Sequence, residues 1–116
     1  MKLPDVLAIN ASKIDEVVLA LAIPAQLEAF SGHFPNNPIL PGVVQIDWAI
    51  RYAALHLGIT KPETRDFQVK FRNIIRPNAP ISLTLKIDRS GNRLSFIYQS
   101  GDEVMSSGQL KLGEKT

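Results

Sequence analysis

Only one stretch of this chain combines helical length with helical punctuation, and nearly everything after it alternates with a period of two. Pro41-Gly42 opens that stretch and Gly58 closes it; proline is well tolerated at a helix start, and glycine is the usual left-handed cap at a helix end. Between them Val43, Ile46, Ile50, Ala53, Ala54 and Leu57 form one apolar stripe, which Val44, Trp48, Ala49 and Tyr52 widen, so the spacing predicts a mostly buried helix over 42–57. From Phe67 the pattern changes. Phe67, Val69 and Phe71 alternate with Gln68, Lys70 and Arg72, then Ile81, Leu83, Leu85 and Ile87 alternate with Ser82, Thr84 and Lys86. Ser90-Gly91-Asn92 turns the chain into Leu94, Phe96 and Tyr98, and Gly101-Asp102 turns it again into 104–112.

Upstream, Val17, Leu19, Leu21 and Ile23 alternate with Val18, Ala20 and Ala22, a strand apolar on both faces that calls for cover on both. Pro24 ends it, and a loop from about 29 to 41 leads to the helix. One helix and about five strands predict an α+β fold, a curved antiparallel sheet wrapped around a central helix. A single helix covers such a sheet incompletely, which points to a homodimer.

At 116 residues the chain has room for one domain, 1–116, and folding at this length buries roughly two-thirds of the unfolded surface. Hydrophobic residues at 45% and charged residues at 21% argue against disorder. The net charge is +2 with basic residues dispersed, which disfavours nucleic acid as a partner. With no cysteine and two histidines, no disulfide and no metal site is expected. Pro4 and Asp5 interrupt the N-terminal segment, so neither a signal peptide nor a membrane span is expected, and the cytoplasm is the default location. There is no G-x-S-x-G, Walker loop or G-x-G-x-x-G, so acyl-serine and nucleotide-cofactor chemistry have no foothold, and no cofactor is expected.

The chemistry concentrates in HFPNNPILPGVVQID, His33 to Asp47. Pro35, Pro38 and Pro41 fix three φ angles after His33, which lowers the entropy lost in holding an imidazole still; the alternative is a stiff connector whose histidine fills a hydrogen-bond slot. Asp47 lies within the apolar stripe, where a lone ionised carboxylate is costly. Either it turns to a polar neighbour or a subunit contact, or partial burial raises its pKa by ~3 units, about 4 kcal/mol, so that it can donate a proton. Gly42, with no side chain at a helix start, can offer its N–H to a ligand oxygen, or can simply satisfy the turn. A base, an acid and an oxyanion donor are the set needed to take a proton α to a carbonyl and expel a β-hydroxyl.

Gly32-His33-Phe34-Pro35, Pro38, Pro41-Gly42-Val43 and Asp47 together resemble the active-site segment of hot-dog-fold 3-hydroxyacyl-acyl-carrier-protein dehydratases. Two positions vary within that family: Asp47 stands where one branch has glutamate, and Asn36 where many relatives have glycine. The shorter length and the segment from Val43 to Ala49 look like the small dehydratases of bacterial aryl-polyene pigment pathways.

The resemblance implies a hot-dog fold and assigns the roles: His33 the base, Asp47 the acid, the Gly42 N–H the donor to the thioester carbonyl. It places Phe34, Pro41, Val43 and Trp48 against the substrate, with His33 of one subunit meeting Asp47 of the other. Trp48 and Tyr52 either shape an acyl or aryl tunnel or pack the core. The implied partner is an acidic acyl carrier protein, for which Arg51, Arg65, Lys70, Arg72 and Arg76 are docking candidates; a solvated strand face explains Lys70 and Arg72 equally well. His56 has no place in the motif and is expected on the helix surface. Two other readings stay open: a hot-dog acyl-thioesterase, and a non-catalytic acyl-binding or scaffolding subunit.

Overall fold

The computed structural model describes residues 3–24, 39–59 and 62–112, the last without the side chains of 62–66. Strands β1 (Asp5–Asn10) and β2 (Glu16–Ala22) precede helix α1 (Gly42–Leu57), and β3 (Pro62–Phe71), β4 (Ile81–Asp88), β5 (Arg93–Ser100) and β6 (Glu103–Leu112) follow it. All six strands join one sheet in the order β1-β2-β4-β5-β6-β3, and every pairing is antiparallel. The chain leaves β2, forms α1, crosses to the far edge as β3 and returns beside β2 as β4. With α1 lying closest to β2 and β4, this is the hot-dog fold.

The sequence pattern gives about five strands and the structure has six. The extra one is β1, whose residues are exposed apart from half-buried Val6 and whose register slips between Val6 and Ala8. An exposed, bulged edge strand has no clean alternation to read. β3 also begins earlier than Phe67, at Pro62, with an irregular register between the two. The turns fall where the sequence places them. Gly58 (φ 65°) caps α1 and Gly101 (φ 60°) turns β5 into β6, while between β4 and β5 the left-handed residue is Asn92 (φ 52°). There the Asp88 carboxylate accepts from the Ser90 N–H, the Ser90 hydroxyl and the Gly91 N–H, which hold it below the usual carboxylate range.

Residues opposite one another on neighbouring strands share a face. Leu19, Leu83, Leu85, Leu94 and Phe96 form the helix-side core with Trp48, Ala49 and Tyr52 of α1. Each fully buried leucine of this set stabilises the fold by about 1.5–3 kcal/mol. β2 does not receive cover on both faces: Val17, Leu19 and Leu21 are buried, while Val18, Ala20 and Ala22 stay half-exposed on the outer face.

The helix departs from the expected burial. Gln45, Trp48, Ala49, Tyr52 and Ala53 are buried, whereas Val43 and Ala54 are exposed and Ile46, Ile50 and Leu57 are half-buried. Two large rings, Trp48 and Tyr52, decide the orientation because they remove the most apolar area from water, leaving the aliphatic stripe facing partly outward. His56, expected on the surface, is half-buried and stacks on the Tyr52 ring at 6.2 Å between centroids. At the β3 edge the helix gives only partial cover. Phe67 and Phe71 lie opposite Leu110 and Ser106 on the helix side of the sheet yet remain 47% and 55% exposed. Among the described residues no helix is long and apolar enough to cross a membrane.

Candidate active site

The start of α1 is built by a polar clamp. The Leu40 N–H donates to the Ile75 carbonyl at 2.8 Å, extended Pro41 (φ −61°, ψ 145°) turns the chain, and the Pro41 carbonyl accepts from the N–H groups of Val44 and Gln45. Proline offers no capping side chain, and among the described residues nothing accepts from the Gly42 N–H. The helix dipole favours negative charge at that point. A second feature explains the glycine. A Cβ on Gly42 would fall 2.5 Å from the nearest Phe71 ring carbon, so the ring of β3 rests directly against the helix start. Pro41 itself is half-buried beside it.

Asp47 stands at the sixth position of α1, on the stripe shared with exposed Val43 and Ala54. The sequence leaves open a polar neighbour, a subunit contact or a sheltered carboxyl; in the single chain its side chain is 53% exposed, and the Arg51 Nη1 lies 3.6 Å from its Oδ2. The helix buries Trp48 and Tyr52, which turns position 47 outward, so within the single chain Asp47 meets a polar neighbour, one of the readings the sequence leaves open. An exposed i,i+4 pair of this kind is worth about 0.3–0.5 kcal/mol, so it orients the carboxylate loosely at most.

The remaining candidates separate. His33 and Phe34 lie outside the described residues, as does the side chain of Arg65. Trp48 is fully buried, so the single chain places it in the core and not on an open substrate wall; its indole N–H has no partner among the described residues. Lys70 and Arg72 line an open groove on the outer face of the sheet with Gln68, Ser95, Ser107 and Gln109. Arg51 sits on the helix, and Arg76 is exposed beyond β3. The proposed docking cations therefore occupy different surfaces, and Arg51 is also engaged by Asp47.

Three residues escape the sequence reading. Gln45 is 3% exposed; its side-chain amide donates to the Leu40 carbonyl (3.1 Å) and its Oε1 accepts from the Ser106 hydroxyl (2.6 Å). The Tyr98 hydroxyl donates to the Gln45 backbone carbonyl at 2.7 Å, and burial pushes its pKa upward, which keeps the phenol a neutral donor. Gln45 carried a readable signal, since it is as polar an intruder in the apolar helix as Asp47. Ser106 and Tyr98 gave none beyond their places in alternating strands.

The ApeI dehydratase family model matches residues 9–109. This chain belongs to the ApeI-like dehydratases. The dehydratase heterocomplex ApeI:P from Xenorhabdus doucetiae contains a chain that superposes with a TM-score of 0.85 at 31% identity, covering 97% of this chain and all of that one. Among curated proteins, the 3-hydroxyacyl-[acyl-carrier-protein] dehydratase FabZ of Oenococcus oeni is 33% identical over 96 residues, 73% of this chain and 69% of its own length. FabZ of Levilactobacillus brevis is 28% identical over 99 residues, 72% of this chain and 63% of its own length, so this ApeI-like chain spans less than two-thirds of that relative.

Proposed function

We propose that this ApeI-like chain removes water from a 3-hydroxyacyl thioester presented by an acyl carrier protein, giving a trans-2-enoyl thioester for fatty-acid or aryl-polyene-type synthesis. The observation that carries the reading is the helix start: a Gly42 N–H without a partner among the described residues and, five residues on, a carboxylate on a partly apolar stripe that the described residues of the single chain leave uncovered. A second copy laid on that stripe would cover Val43 and exclude water from Asp47, supplying the shelter that one chain lacks.

The reaction then needs three groups. The His33 imidazole takes the α-proton, and the electrons left behind form an enolate whose oxygen accepts the Gly42 N–H. The enolate re-forms the carbonyl as the Cα–Cβ double bond closes, and the β C–O bond breaks. The Asp47 carboxyl, as the acid of the pair, gives a proton to the departing hydroxyl, which leaves as water; the imidazolium later returns its proton to the carboxylate through solvent. A positioned base of this kind is worth about 10²–10⁴ in rate, and one oxyanion donor about 10²–10³. In the assembled protein His33 of one copy serves Asp47 of the other. No cofactor enters these steps. Lys70 and Arg72 would steer the acidic carrier.

The test offers the purified protein a 3-hydroxyacyl carrier thioester and follows the loss of water by mass, beside His33→Ala and Asp47→Asn. Enoyl product from the wild type, with both variants slowed at least about 100-fold, is expected. Free acid would identify a thioesterase, and equal inertness with retained carrier binding a scaffolding subunit. Because the Xenorhabdus relative is a heterocomplex, sedimentation of the protein alone and after co-expression with its own organism's dehydratase homologues distinguishes a second copy from a related chain.

A further inference from the structure

We infer that Gln45 is a positioning residue, which sets the direction of the Gly42 N–H through Leu40 and the first turn of α1. The inference rests on the dehydratase reading, in which that N–H meets the enolate oxygen. Gln45 reaches back past the helix start to the Leu40 carbonyl, two residues before Gly42, while the Leu40 N–H is held by Ile75. Leu40 is thus held at both its N–H and its carbonyl, and the only residue between it and Gly42 is Pro41, whose φ is locked.

Ser106 anchors both sides of this arrangement. Its hydroxyl, fully buried, fixes the Gln45 Oε1, and in the β3–β6 register it lies opposite Phe71, whose ring rests on Gly42. Tyr98, opposite Ser106 on β5, ties the Gln45 carbonyl to the sheet. One serine on a central strand therefore aligns what stands behind the helix start and what stands in front of it. Were stability the only requirement, an aliphatic side chain at position 45 would serve; a buried amide with both ends engaged instead gives a fixed direction, because hydrogen bonds constrain angles that dispersion contacts do not.

The experiment compares Gln45→Met, Ser106→Ala and Ser106→Thr with the wild type, measuring kcat, KM and thermal melting on the 3-hydroxyacyl carrier thioester. Because the donor acts on the transition state, a misdirected N–H lowers kcat and leaves KM within about twofold. Gln45→Met is expected to lose about 10- to 100-fold in kcat, Ser106→Ala several-fold, and Ser106→Thr, which keeps the hydroxyl, little, against a ceiling of about 10²–10³ for removing such a donor. Folded variants with wild-type kcat, or losses confined to KM or to the folded fraction, overturn the inference. If Gln45→Met fails to fold, the Ala/Thr pair at 106 decides. A wild type that never dehydrates the substrate overturns the dehydratase reading instead. The amide resonance of Gly42 in ¹⁵N-labelled protein then decides the positioning claim: it must shift in Ser106→Ala and stay put in Lys86→Gln, and an unmoved resonance in Ser106→Ala overturns it.

Discussion

On one side of α1, Trp48, Ala49, Tyr52 and Ala53 are sealed into the core that holds Leu19, Leu83 and Leu85; on the other, Val43 and Ala54 face outward around Asp47, with Ile50 half covered. Both sides are largely apolar in sequence. The difference is that the first is completed by the chain's own sheet and the second is not, since the helix lies over β2 and β4 and the sheet continues past it to β3. A functional carboxylate belongs on the unfinished side, where a partner or substrate can change its surroundings. On the finished side the same group would be buried at once, with nothing to regulate access.

Leu83→Ala against Asp47→Asn tests this contrast most strongly. Leu83 is fully buried, and its truncation should cost about 2–5 kcal/mol in denaturant unfolding, from lost transfer energy plus the cavity. Asp47→Asn should change stability by no more than about 0.5 kcal/mol, as exposed substitutions do, while activity falls by at least about 100-fold. An Asp47→Asn protein as unstable as Leu83→Ala would show that the outward side is already part of the fold's own structure, and the contrast would collapse.

Next in size is association. Val43 is 73% exposed in the single chain, so Val43→Glu should melt like the wild type yet weaken self-association on the order of tenfold or more, about 1.4 kcal/mol, by sedimentation. Lys86→Glu, on an exposed outer position of β4, should leave association unchanged. Equal association for Val43→Glu and wild type would mean that the partner docks elsewhere.

The sequence made the finished side nearly transparent. Period-two runs over Ile81–Ile87 and Leu94–Tyr98 became β4 and β5 with the same residues inward, and the helix ran from Gly42 to Leu57 as its proline and glycine signals indicate. Periodicity reports which faces are apolar but not which of two apolar faces meets the sheet. For α1 that choice fell to Trp48 and Tyr52; it left Val43 exposed, against the expected burial, and turned Asp47 outward to Arg51. β1 was missed because an exposed edge strand needs no alternation. The Gln45–Ser106 contact spans 61 positions, and no local pattern announces a hydrogen bond between a helix and the fourth strand after it. The HFP loop was readable as a family motif, with His33 and Phe34 outside the described residues.

The smallest effect expected concerns the other aspartate–arginine pair, which shows what a finished ion pair looks like beside Asp47–Arg51. Asp15, at the β1–β2 turn with φ 60°, accepts from both Nε and Nη2 of Arg89 at 2.8 Å. Those hydrogen bonds, more than the charge itself, hold its carboxyl below the usual range. The sign follows from linkage. With the folded pKa below the unfolded value of about 3.9, both states are ionised at neutral pH and the pair contributes fully there. As pH falls, the unfolded chain takes up its proton first, and the contribution is lost as pH passes through the folded pKa. Asp15→Asn should therefore flatten the acid limb of a stability–pH curve below about pH 4 and leave its slope near neutrality unchanged, with salt reducing the difference. Asp88, held low by the Ser90 and Gly91 turn, shapes the same limb, so Asp15→Asn is best measured in an Asp88→Asn background. An acid limb that stays as steep in that background would show that the short bidentate contact does no more for this fold than the loose one at Asp47.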